Sequence, residues 1–163
     1  MDATSSAGEH VVVERAGAIV TLTFNRPEAR NAMTWEMYRR LNDVCDEVDR
    51  DDGVRVLVVR GAGGKAFVAG TDISQFLSFT GADDGLHYER DADGHMGRIA
   101  RVTKPVIAQI EGYAVGGGFG IAARCDQRNA TTPRQTHGWR ATMSVAQRLS
   151  RPRAFTPGRG SIP

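Results

Sequence analysis

GYAVGGGFGIA, Gly112 to Ala122, sets three consecutive glycines and then a fourth among apolar residues. The preceding PVIAQI, Pro105 to Ile110, reads as a buried strand, so the glycines fall where a strand hands over to a helix beginning near Gly117. Working outward, VRVLVVR, Val54 to Arg60, is apolar at nearly every position, as expected of a strand covered on both faces. Val11 to Arg15 and Ala18 to Asn25 are β-branched runs broken at Ala16-Gly17, the pattern of a hairpin, with Val20, Leu22 and Phe24 alternating with Thr21 and Thr23. Thr34 is placed to cap a helix running to Arg50, because Met37, Leu41, Val44 and Val48 recur on one face; Asp51-Asp52-Gly53 closes it. Phe67 to Ala69 reads as a short buried segment, Asp72 as the cap of a helical turn through Phe76, and Leu86 to Val102 as a weakly periodic helix. Strands that alternate with helices define an α/β domain. Beyond Asp126 the periodicity stops, and the reading there is at most a short helix over Ala141 to Leu149 and no strand.

At 163 residues the chain is sized for one domain, and no apolar run approaches the roughly 18 residues of a membrane-spanning helix. MDATSSAGEH, residues 1–10, has neither a basic nor an apolar leader segment and is expected to be disordered, with the protein in the cytoplasm. Cys45 and Cys125 lack the spacing of metal ligands and read as unpaired thiols; the four histidines are scattered, so no metal is expected. Net charge is +2, but unevenly distributed. Arg124 to Pro163 hold eight arginines and a single acid, a net of +7, against −5 for residues 1–123. That basic tail has no lysine and only Trp139 and Phe155 for stacking, which argues against nucleic acid as a partner.

Three loops carry chemistry. RPEARNAMT, Arg26 to Thr34, puts two arginines beside a helix N-terminus, a setting that suits an anionic ligand and equally a solvated turn. GGKAFVAGTDIS, Gly63 to Ser74, begins like a phosphate loop, but Ala66 follows the lysine where magnesium binding needs Ser or Thr. What remains is Gly70, which lets the chain turn so that the Thr71 amide faces a ligand; taken alone the same residues make an ordinary tight turn. In the third loop Gly118-x-Gly120-x-x-Ala123 matches a variant dinucleotide fingerprint, yet no acid stands about twenty residues further on to hold a ribose. Glycines at a helix start serve another purpose as well: they let peptide N–H groups approach a carbonyl oxygen that is gaining negative charge. Close helix packing also calls for them.

In this order and spacing the loops resemble the crotonase, or enoyl-CoA hydratase/isomerase, superfamily. NRPEARNAMT is similar to its CoA-contacting loop, KAFVAGTDI to its KAFxAGxDI motif, and GYAVGGGFGIAARCD to its G-x-A-x-GGG-x-x-x-A-x-x-CD motif, over about Val11 to Asp126. The resemblance implies a crotonase-like spiral of ββα units, incomplete at the C-terminus, with residues 11–126 as its core and 127–163 as a poorly ordered tail outside the family pattern, a frameshifted or mispredicted end. It implies that the backbone amides of Thr71 and Gly117 form an oxyanion hole for an acyl-CoA thioester. Arg30, Ala32, Ala69, Asp72, Ile73 and Val115 would line the CoA and acyl path. No separate cofactor is implied, since coenzyme A belongs to the substrate; family members form trimers or pairs of trimers.

One departure bears on activity. Family hydratases carry a glutamate three residues past the middle glycine, where this chain has Gly120, and a second further on, whereas residues 127–163 contain no acid. Hydration needs one group to activate water and another to protonate the α-carbon, each typically worth about 10²–10⁴ in rate. Backbone oxyanion donors survive such losses, so binding can outlast hydration. An enzyme of acyl-CoA metabolism, a non-catalytic acyl-CoA-binding protein or non-functional truncated gene product and, more remotely, a nucleotide-binding oxidoreductase fragment are the readings the sequence leaves open.

Overall fold

The computed structural model describes residues 9–77, 94 and 96–131. Strands β1 (Val11–Ala16) and β2 (Ile19–Phe24) form the expected hairpin, paired antiparallel from Val11↔Phe24 to Ala16↔Ile19 across a turn in which Gly17 takes a φ of 58°. Val20, Leu22 and Phe24 are buried, as their alternation requires. Helix α1 (Trp35–Arg50) starts at Thr34, whose Oγ1 accepts the Met37 amide at 3.3 Å, and buries Met37, Tyr38, Leu41, Val44, Cys45 and Val48. At its far end Lys104 Nζ donates to the carbonyls of Val48 and Asp51, a cation where the helix dipole favours one.

Strand β3 (Val56–Gly61) returns parallel to β2, as a helical crossover allows, and β5 (Val106–Ile110) lies parallel to β3. A second sheet pairs β4 (Ala66–Val68) with β6 (Tyr113–Ala114), and helix α2 (Gly117–Arg124) follows directly. One core joins the layers: Leu57, Val59, Ala108 and Ile110 of the large sheet belong to the same buried cluster as the apolar stripe of α1, and Phe67 of β4 meets Phe24 edge-on with ring centres 6.1 Å apart. Helical residues 96–99 are tied to α1 through Arg98, which reaches Asp46 at 2.7 Å and Asp49 at 2.6 Å.

Two expectations are corrected. In β3 only Leu57 and Val59 are fully buried; Val56 and Val58, like Thr21 and Ile107, are half-buried, so one sheet face is only partly covered among the described residues. Beyond Asp126 no strand was expected, yet Gln127–Ala130 forms β7, parallel to β5, giving the sheet order β1-β2-β3-β5-β7. QRNA has no β-branched residue; pairing imposes the conformation. Asp126 clamps the chain onto β5, its amide donating to the Val106 carbonyl at 2.9 Å and its carboxylate accepting the Val106 amide at 2.8 Å. Of the expected disordered start, residues 1–8 lie outside the described residues, while the His10 carbonyl accepts the Asn25 amide at 2.8 Å. The readings over residues 132–163 and most of Leu86 to Val102 also lie outside them.

Candidate active site

The three loops meet. After the 3-10 turn Pro27–Ala29, Arg30 and Asn31 take left-handed φ values of 52° and 56°, and the buried Asn31 side chain holds that conformation. Its Oδ1 accepts the Arg26 amide at 2.9 Å, and its Nδ2 donates to the carbonyls of Ala62 and Ala66 at 2.9 and 2.8 Å. The second loop then runs alongside the first. The Ala69 amide donates to Arg30, the Met33 amide to Gly70 and the Asp72 amide to Met33, at 3.1, 2.8 and 2.9 Å. The third loop joins through the Val115 amide, 3.1 Å from the Val68 carbonyl oxygen. The structure thereby gathers the stretches holding Arg30, Ala32, Ala69, Thr71, Asp72, Ile73, Val115 and Gly117. Arg30 is exposed, as are Ile73 (79%) and Val115 (54%), while Ala32, Ala69, Thr71, Asp72 and Gly117 are half-buried.

Each central glycine has its own reason. Gly70 and Gly116 take φ values of 98° and 52°, in the region that L side chains avoid, and pack together: a Cβ on Gly116 would lie 3.6 Å from Gly70 Cα. A Cβ on Gly118 would overlap the Val68 carbonyl, so this glycine lets α2 sit on β4. Gly117 opens α2, where its amide has no intrahelical acceptor, and a Cβ there would lie 3.7 Å from Thr71 Oγ1 and 2.5 Å from the Tyr38 hydroxyl. At Gly120 a Cβ would meet Met96 Sδ at 2.6 Å and Arg124 Nη1 at 3.3 Å, so the neighbours of that position are a thioether and a guanidinium.

Charged groups of the loops are largely committed. Arg26, with its side chain 15% exposed, turns inward to the Ala32 carbonyl at 2.8 Å and to Asp72 Oδ2 at 2.9 Å. The other Asp72 oxygen accepts the Ser74 hydroxyl and amide at 2.8 and 3.0 Å. Hydrogen bonds from the Ser74 hydroxyl, the Ser74 amide and Arg26 hold the Asp72 carboxyl below its ordinary range despite some burial, so it is an ionised brace at neutral pH. Sequence reasoning missed Tyr38, Asn31 and the inward turn of Arg26. A tyrosine on an otherwise aliphatic stripe was a usable signal, because a buried phenol needs a polar partner.

Comparison with known proteins fits this arrangement. The enoyl-CoA hydratase/isomerase family model matches residues 19–136. Short-chain-enoyl-CoA hydratase of Clostridium acetobutylicum is 35% identical over 123 residues, 76% of this chain and 47% of its own length. (E)-benzylidenesuccinyl-CoA hydratase of Thauera aromatica is 38% identical over 122 residues, 75% of this chain and 47% of its own. Among solved structures, an enoyl-CoA hydratase/carnithine racemase from Magnetospirillum magneticum superposes with a TM-score of 0.71 at 34% identity, over 76% of this chain and 47% of that one. The chain belongs to the enoyl-CoA hydratase/isomerase family, in its crotonase-like α/β fold. It spans about half the length of the relatives it matches, and the family match continues past Asp126 through β7.

Proposed function

We propose that the chain binds acyl-CoA thioesters through an oxyanion hole made by the amides of Thr71 and Gly117, and that it binds them without hydrating them. The observation that carries this is the contact between the two glycine turns, which brings Gly117 at the start of α2 beside Thr71. The thioester is common to the names of the relatives while the acyl part differs between them, so the thioester is the part this site would recognise. Arg30, exposed in the first loop, would meet the anionic CoA moiety, and the exposed Ile73 and Val115 would flank the acyl group. Asp72 takes part as a brace.

Hydration adds hydroxide to the β-carbon and a proton to the α-carbon, so it needs a base for water and an acid for the enolate. Gly120 offers neither, and the side-chain atoms nearest a Cβ there, Met96 Sδ and Arg124 Nη1, supply no carboxylate. Crotonyl-CoA hydration measured beside binding of the same thioester tests the reading: binding without turnover is expected. Measurable hydration would overturn the non-catalytic part, and absence of binding would overturn the whole.

A further inference from the structure

Tyr38 is fully buried on the stripe of α1. Its hydroxyl lies 3.0 Å from Thr71 Oγ1, and the same hydroxyl is the atom a Cβ on Gly117 would strike at 2.5 Å. One phenol oxygen, fixed on a capped helix, therefore touches both residues assigned above to the oxyanion hole. The segments that carry them are otherwise joined at glycines with left-handed φ values, Gly70 and Gly116. The neighbouring turn of α1 adds a second brace. The Trp35 ring packs edge-on against Phe76 with centroids 6.3 Å apart, and the Trp35 amide donates to Gln75 Oε1 at 3.3 Å, holding the turn that follows Thr71.

We propose that Tyr38 is a positioning residue that sets the gap between the Thr71 and Gly117 amides: it holds Thr71 through the side-chain hydroxyl and stops Gly117 by contact. The inference rests on the acyl-CoA reading. Being buried, Tyr38 acts through those two residues and does not reach the ligand itself. It also accounts for the pairing of residue types at the site. Threonine at 71 supplies the oxygen that α1 can grip, and glycine at 117 leaves room for the phenol. Oxyanion donors act by being preorganised, so a loosened gap weakens their pull on the carbonyl more than it weakens contacts elsewhere on the ligand.

The test uses the full chain and cinnamoyl-CoA, whose absorption band moves to the red when its carbonyl is polarised, with free coenzyme A as a probe lacking the carbonyl. The expected result is a red-shifted band on the unsubstituted protein, most of which is lost in Tyr38→Phe and in Thr71→Ala and kept in Thr71→Ser. Cinnamoyl-CoA affinity should fall by about tenfold in the first two variants while coenzyme A affinity holds. The double variant Tyr38→Phe/Thr71→Ala should be no worse than Tyr38→Phe alone, because losing the phenol oxygen already removes the link to Thr71. A retained red shift in both single variants, or its loss in Thr71→Ser, overturns the positioning role while leaving the acyl-CoA reading intact. If the unsubstituted protein binds neither probe, the acyl-CoA reading fails and this inference with it. Should Tyr38→Phe not fold, the alanine and serine variants at Thr71 decide the matter.

Discussion

Asn31 ties the first loop to the ends of two strands with a single amide, accepting one backbone N–H and donating to two backbone carbonyls while wholly buried. Removing that amide leaves groups that water cannot reach, so Asn31→Ala should lower stability by about 3 kcal/mol, read as a shifted urea midpoint. An unchanged midpoint would mean that the loop rearranges freely. At Gly117 the constraint is a single oxygen. Gly117→Ala places a methyl 2.5 Å from the Tyr38 hydroxyl and should cost about 1–3 kcal/mol of stability, whereas Gly117→Ala/Tyr38→Phe, which removes that oxygen, should recover part of it. Placing an acid at Gly120 meets a comparable obstacle in Met96 Sδ. Gly120→Glu alone should bring no hydration of crotonyl-CoA and should destabilise, and pairing it with Met96→Ala should relieve the destabilisation. Equal stability of the single and paired variants would show that Met96 yields without help.

Among the elements, α1 organises both the core and the site, and its charged face is where pH acts. Asp49 accepts Arg98 Nη2 at 2.6 Å and the Thr103 amide and hydroxyl at 2.8 and 2.7 Å, joining α1 to helical residues 96–99 and to the segment before β5. Burial works to raise its pKa, but the bonds from Thr103 and Arg98 outweigh that and hold the carboxyl below its ordinary range. A depressed folded-state pKa means that the unfolded chain takes up the proton first as pH drops below about 3.9. The stability from this group is therefore present above that pH and disappears as pH falls through the lower folded value. Urea midpoints measured from about pH 6 downward should show an acid limb that Asp49→Asn flattens, together with a lower plateau near neutrality. A limb identical in the variant would assign it to other carboxylates. Much of α1 was legible in the sequence because its signals are local: Thr34 caps, and Met37, Leu41, Val44 and Val48 repeat at the helical spacing. The partner of the Tyr38 hydroxyl was not, since Thr71 stands 33 positions away and only the packed fold brings the two together. For the same reason β7 was invisible: its polar residues are strand only because Asp126 fastens them to β5. The loop motifs located the stretches that the fold gathers but not what braces them, since the sequence set Arg26 in an anion-binding or solvated turn and Asp72 at a helix cap, and their mutual bond spans 46 positions.

At the scale of the whole molecule, a chain matching about half the length of its relatives still encloses a core. Its two thiols can report whether that core stays closed. Cys45 lies on α1 and Cys125 at the end of α2, both fully or nearly fully buried and unpaired. Burial, partly countered at Cys45 by Arg98 and at Cys125 by Arg128, pushes each thiol up to about 12. Only the thiolate reacts with disulfide or alkylating reagents, and an unfolded cysteine ionises near pH 8.5. At pH 8 the folded protein would thus present a thiolate fraction about three orders of magnitude below that of the unfolded chain, before burial blocks access as well. With an aromatic disulfide reagent, both thiols should stay silent in buffer and both should react in denaturing urea. Labelling rates at intermediate urea should follow the unfolding equilibrium read by circular dichroism. Because the thiols sit on different helices of one core, fast reaction of Cys125 with Cys45 still protected would locate the weak point at α2 and β7. Fast reaction of both in buffer would mean that this half-length chain does not hold its core closed alone, and that its stability depends on partners.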